Sequence, residues 1–182
     1  MSRLFIALPI AEEIITYFNN IKKSVTVDRR IKWESNEKMH LTIKFLGDVD
    51  DKKIETINNT LNKITSKIFK FDLTLNKLGF FNKNNYPTIL WVNFKESKEI
   101  MDMYLKIENE FENIGFEKEL KKFMPHLTLL RIKPYYDINE LMRFDEYEIN
   151  NLQFKVDKLF LMKSDLLKSG SVYTKLFEYK LN

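Results

Sequence analysis

Apolar residues recur along the chain with two periods, one near 3.6 and one of 2, and the switches between them mark out helices and strands. Residues 3–8 form a nearly continuous apolar run of the length of a buried strand. From 11 to about 25 the spacing becomes helical, with Ile14, Ile15, Phe18, Ile21 and Val25 on one face. Residues 31–33 make a short extended piece. Over 39–46 the period is 2: Met39, Leu41, Ile43 and Phe45 alternate with His40, Thr42 and Lys44, which therefore share the opposite face. Gly47 and Asp48 close that strand. A helix over 51–68 keeps Ile54, Ile57, Leu61, Ile64 and Ile68 in phase behind acidic residues at its start.

The second half repeats the alternation. Residues 69–75 read as a strand, 82–87 as a polar loop, 89–94 as a β-rich run, and 97–114 as an amphipathic helix stopped by Gly115. Pro125 precedes a strand over 126–132, which ends before Pro134. A short helix over 138–144 and extended segments at 152–156, 158–163 and 172–181 complete the reading, which has three long helices among short strands. This order predicts an α+β fold with antiparallel sheets and flanking helices around a central cleft. With 182 residues, 44% of them hydrophobic, and only 4 Gly and 4 Pro, the chain can bury one core. It holds no linker-like run, so a single domain over 1–182 is expected.

Composition then narrows the chemistry. The absence of cysteine excludes disulfides, cysteine nucleophiles and cysteine-ligated metal, and it allows a cytoplasmic setting, which is the expectation. No apolar run approaches the roughly 20 residues that cross a bilayer, so no membrane partner is expected. A net charge of +4 suits an anionic substrate and falls short of the field needed to hold duplex nucleic acid by charge alone.

Against this background the histidines stand out. There are 2, His40 and His126, 86 residues apart, and each is followed by Leu-Thr. The usage of Leu and Thr in this chain puts one such triplet at about 0.7% and both at roughly 4 in 100,000, so chance explains them poorly. Strand periodicity places His40 with Thr42, and His126 with Thr128, each pair on one face. Imidazole titrates near pH 6.5, so one ring can accept a proton while the other donates one, with two hydroxyls left to bind phosphate oxygens. A metal reading is weaker, because neither triplet has an H-E-x-x-H spacing or a neighbouring carboxylate cluster, and no metal or other cofactor is expected. No serine lies in a G-x-S-x-G elbow.

Four segments carry a resemblance: the opening run Arg3 to Leu8; Trp33 to Gly47 with His40-Leu41-Thr42; Pro125 to Arg131 with His126-Leu127-Thr128; and the tail with Ser164, Gly170 and Tyr173. Together they make the chain similar to the 2H phosphoesterase superfamily, and within it to the LigT-like RNA 2′,3′-cyclic phosphodiesterases, historically called 2′-5′ RNA ligases, over nearly its whole length. The resemblance implies a bilobal fold of two pseudo-twofold-related lobes, each contributing one H-x-T-x motif. It also implies metal-independent hydrolysis of RNA 2′,3′-cyclic phosphate ends to 2′-phosphomonoesters, with reversible 2′-5′ ligation as the same chemistry when a ribose 5′-hydroxyl replaces water. It makes His40 the proton donor, His126 the proton acceptor and Arg131 a phosphate contact, although no residue pattern assigns the direction of proton flow.

By strict alternation Arg131 leaves the face of His126 unless the strand bulges or ends there. Lys44 is in phase with His40, as a further site residue or a solvated lysine. Trp33 and the pair Phe80-Phe81 are candidates for stacking on a terminal base, with core packing as the alternative. The expected partner is RNA with a 2′,3′-cyclic phosphate terminus or a small cyclic nucleotide, bound by a monomer. A nucleotide- or RNA-end-binding module without turnover is the alternative.

Overall fold

The computed structural model describes residues 1–25, 32–133, 138–145, 147–149, 152–168 and 170–182. Ile31 and Pro134, which bound two of the expected strands, lie outside the described residues. In chain order the elements are β1 (Ser2–Pro9), α1 (Glu12–Ser24), β2 (Lys32–Trp33), β3 (His40–Val49), α2 (Ile54–Thr65), β4 (Phe71–Lys83), β5 (Tyr86–Phe94), α3 (Lys98–Glu112), β6 (His126–Arg131), α4 (Asn139–Met142), β7 (Gln153–Val156), β8 (Lys158–Leu167) and β9 (Gly170–Lys180).

The strands pair antiparallel in the order β7-β4-β5-β6-β3-β1-β8-β9, with β2 added beside β6. The expected α+β class holds. The sheets meet, however: β3 and β6 pair at Leu41 and Leu127, which joins four strands on one side to four on the other in a single path.

β1 is a continuous apolar run because it is buried on both faces. Leu4, Ile6 and Leu8 join Ile14 and Phe18 of α1, Ile57 and Leu61 of α2, and Ile107 and Phe111 of α3 in the main core. Each such full burial contributes roughly 1.5–3 kcal/mol. Phe5 and Ala7 point the other way, into a small cluster with Met162, Phe160 and Tyr173. The helices thus cover one face, and the triplets lie on the other.

Two ends behave as their sequence dictates. Ser97 Oγ accepts the Ile100 N–H at 3.4 Å to start α3, and Gly115 takes a φ of +87° three residues past its end. Two differ. Residues 82–87 are not an open loop: β4 continues to Lys83, and Asn84 and Asn85, both at positive φ, make a two-residue turn into β5. β3 runs through Gly47, whose φ of +72° lets the strand shift register and continue to Val49.

Candidate active site

The Leu41–Leu127 pair organises everything around it. Both leucines are fully buried in the main core, so the residues on either side of each must face the other way. Antiparallel direction then sets His40 across from Thr128 and Thr42 across from His126. Two imidazoles and two hydroxyls occupy one patch, and all four side chains line a cleft of about 240 Å³.

Each imidazole is anchored in the same way. His40 Nδ1 lies 2.8 Å from the carbonyl of Lys38 and His126 Nδ1 lies 2.9 Å from that of Met124, in both cases two residues back along the chain. A carbonyl oxygen only accepts, so Nδ1 carries the hydrogen and Nε2 is left with its lone pair. Aromatic rings fix the planes. His40 packs against Phe5 (centroids 4.9 Å apart) and edge-on against Tyr173 (5.2 Å), while His126 stands edge-on to Phe81 (5.0 Å). Burial pushes the His40 pKa down to about 4, with Arg131 and His126 adding to the shift and the Lys38 carbonyl opposing it. Burial also lowers His126, again with Arg131 in support and the Met124 carbonyl opposing. Both rings therefore hold a second proton less readily than an exposed imidazole.

Strict alternation fails three residues after each histidine, and the failure decides two candidates. On β6, Trp91 pairs with Thr128 and Leu90 with Leu130, so Leu129 is an extra residue and Arg131 returns to the cleft face. This is the bulge that Arg131 needed. On β3, Ala7 pairs with Thr42 and Ile6 with Lys44, so Ile43 is the extra residue. The same step that brings Arg131 into the cleft turns Lys44 out of phase with His40.

Lys44 consequently does not line this cleft, and it is not a solvated lysine. It is buried, and its Nζ donates to Glu108 Oε1 (2.8 Å), Glu108 Oε2 (2.9 Å) and the carbonyl of Glu117 (2.8 Å). Phe45, five residues after His40 as Arg131 is five after His126, faces the cleft instead and is 70% exposed.

The aromatic candidates divide. Trp33 packs partly buried against the main core and does not line the cleft. Phe80 also packs on the core, while Phe81 is a wall of the site through His126.

Several lining residues had no sequence signal, among them Lys38, Phe45 and Glu34, which β2 delivers from beyond the triplets. Glu34 Oε1 accepts a hydrogen bond from Arg131 Nε at 3.1 Å. A second cavity, of about 640 Å³, opens beside the first and shares Thr42, Phe45 and His126 with it. Its far wall includes Lys118, Lys121 and Lys122. Among the described residues, no three His, Asp or Glu side chains come together as metal ligands would, and no helix is long and apolar enough to cross a membrane.

A family model described as LigT-like phosphoesterase matches residues 8–91. A Thermotoga maritima protein named RNA 2′,3′-cyclic phosphodiesterase is 31% identical over 177 residues, covering 97% of this chain and 94% of the relative. One of the same name from Methanocaldococcus jannaschii is 28% identical over 179 residues, covering 97% and 99%. Among solved structures, TT0787 of Thermus thermophilus superposes with a TM-score of 0.84 at 22% identity, covering 98% of this chain and 97% of that one. E. coli LigT complexed with 3′-AMP does so at 0.81 and 21%, covering 100% and 98%. At those identities the structural likeness speaks for the fold.

Proposed function

The chain belongs to the LigT-like phosphoesterase family, and from that premise we propose that it is an RNA 2′,3′-cyclic phosphodiesterase working by metal-independent acid/base catalysis between His40 and His126. One observation carries this reading. Two imidazoles, each held through Nδ1 by the carbonyl two residues back, present free Nε2 atoms to one cleft, each beside a threonine. Relatives sharing most of the chain bear the same activity in their names.

In the proposed reaction a terminal 2′,3′-cyclic phosphate lies over the patch. Thr42 and Thr128 donate their hydroxyls to its non-bridging oxygens, and the terminal amino groups of Arg131 bind the same group. His126 Nε2 takes a proton from water as the water oxygen bonds to phosphorus. The P–O3′ bond breaks, and His40 Nε2 gives its proton to the departing O3′. One water is consumed, leaving a 2′-phosphomonoester and a 3′-hydroxyl, and the two rings return to their starting states by exchange with solvent.

With a pKa of about 4, His40 by itself holds no proton on Nε2 at pH 7. It acquires its proton when the substrate anion enters, because a negative charge beside the ring offsets the burial that disfavours imidazolium. As the P–O3′ bond breaks, negative charge builds on O3′ and the ring gives it that proton. An RNA 5′-hydroxyl in place of water would run the same steps as 2′-5′ ligation.

The two halves also read as pseudo-twofold-related lobes. β1-α1-β3 and β5-α3-β6 follow the same strand-helix-strand plan, and both triplets share the Nδ1 anchor and the bulge at the third residue. One chain supplies the whole patch, which supports action as a monomer.

The test is to incubate the protein in EDTA with an oligonucleotide ending in a 2′,3′-cyclic phosphate and to identify the product by ³¹P NMR. A 2′-phosphomonoester is expected. Formation of the 3′-phosphomonoester, loss of activity on chelation, or binding of the end without turnover would each overturn the proposal.

A further inference from the structure

A carboxylate is out of place in a cleft built for phosphate, yet one is held there firmly. Among the described residues lining the cleft, the cationic side chains are Arg3, Lys38 and Arg131, and Glu34 is the acidic one. Its backbone is pinned on both sides: the Glu34 N–H donates to the Leu129 carbonyl at 2.8 Å, and its own carbonyl accepts from Lys22 Nζ at 3.0 Å. The side chain is 18% exposed, against 60% for Arg131, and Oε1 receives the Arg131 Nε–H at 3.1 Å. The Glu34 backbone is thus fixed just past the end of β2, and the more exposed Arg131 donates to its carboxylate.

Two physical consequences follow. With Nε engaged, the guanidinium keeps its two terminal amino groups for another acceptor, so a phosphate would meet that edge. The second consequence concerns charge. A 2′,3′-cyclic phosphodiester carries one negative charge before and during binding. The monoester released from it has a second pKa near 6, so at pH 7.5 it is close to a dianion. A fixed negative charge beside the phosphate subsite repels the dianion about twice as strongly as the monoanion, while Arg131 alone would favour the dianion by the same law.

Resting on the reading above, we propose that Glu34 sets the discrimination between diester substrate and monoester product: it positions Arg131 and, by its own charge, drives the phosphomonoester out. Glu34 is a positioning and specificity residue, not a proton-transfer group. The same charge makes the cleft a poor site for RNA ends that already carry a terminal phosphomonoester, so such ends compete weakly with the cyclic ones.

Glu34→Gln separates the two roles, because the amide oxygen can still accept from Arg131 Nε while the charge is gone. Glu34→Ala removes both. The measurements, at pH 7.5 and low salt, are kcat and KM on a nucleoside 2′,3′-cyclic monophosphate and the Kd of the nucleoside 2′-monophosphate by calorimetry. In Glu34→Gln the monoester should bind about tenfold more tightly while KM for the cyclic substrate falls threefold or less, and the gap should narrow in 0.5 M salt. In Glu34→Ala, KM should lie above that of Glu34→Gln, because Arg131 loses its support as well as the opposing charge.

Equal changes for both ligands in Glu34→Gln, or no change in either, would overturn the proposal. Were the wild type to show no turnover, the phosphodiesterase reading would fall by itself. The cyclic nucleotide's Kd would then be read by the same titration, and the charge inference would still be decided.

Discussion

Replacing Lys44 with methionine removes a cation from a place where water cannot substitute for it. Lys44 and Glu108 are each 4% exposed, and the ammonium supplies two of the carboxylate's hydrogen bonds, leaving, among the described residues, the Glu119 N–H at 3.0 Å once it is gone. The Glu117 carbonyl loses its donor as well. Breaking a buried pair from one side costs about 3–5 kcal/mol, and in a chain of this size each kcal/mol lowers Tm by about 2–4 °C, so a fall of roughly 6–20 °C is expected. Lys44→Met combined with Glu108→Leu should melt above the single variant, because no uncompensated charge stays buried, yet below wild type, because the Glu117 carbonyl and the Glu119 N–H remain orphaned. Thermal melts of the wild type, both singles and the double give the coupling directly. The segment tied down by this pair leads to Met124, whose carbonyl holds His126, so activity should fall less than tenfold in the folded variant. A Tm loss under about 2 °C would refute the reasoning. So would a hundredfold loss of kcat at unchanged Tm, which would return Lys44 to the chemistry.

Other outcomes follow from the site. Folded His40 holds its pKa near 4 against about 6.5 unfolded, so the unfolded chain binds the extra proton between those values. The resulting stability is complete above pH 6.5 and is lost as pH falls toward 4. Wild type should therefore lose about 2–3 kcal/mol more than His40→Gln between pH 7 and 4 in urea melts, and parallel curves would contradict it. Thr128→Val keeps shape and removes one phosphate donor, so kcat should drop roughly 10²-fold with Tm nearly unchanged, and a change in KM alone would show that the hydroxyl merely binds.

The fold is legible wherever one face of an element is buried and the other is not. α1, α2, α3 and the triplet strands follow from periodicity, because their apolar residues repeat at the spacing of the core they fill. The β4–β5 hairpin does not: its turn is Asn84-Asn85 where Asn-Gly is the strong signal, and β4 shifts register between Leu75 and Leu78, which breaks the alternation. The same limit governs the site. His40, Thr42, His126 and Thr128 sit on regular strand, where counting in twos is enough to put each pair on one face. That count misplaces Lys44, and it admits Arg131 only on condition of a bulge. A bulge is a property of two paired strands and leaves no mark in either alone. Glu34 reaches the cleft only through the β2–β6 pairing, which no local pattern announces.

Two imidazoles acting as one unit on a phosphate between them are the centre of the proposed chemistry. The decisive measurement is kcat/KM on a nucleoside 2′,3′-cyclic monophosphate, in EDTA, for His40→Ala, His126→Ala and the double variant, with each fold checked by circular dichroism. Each single change should cost about 10²- to 10⁴-fold, and the double should be little worse than the more damaged single, as for groups that work only together. Activity within tenfold of wild type in either single variant, or full multiplicative loss in the double, would contradict the account.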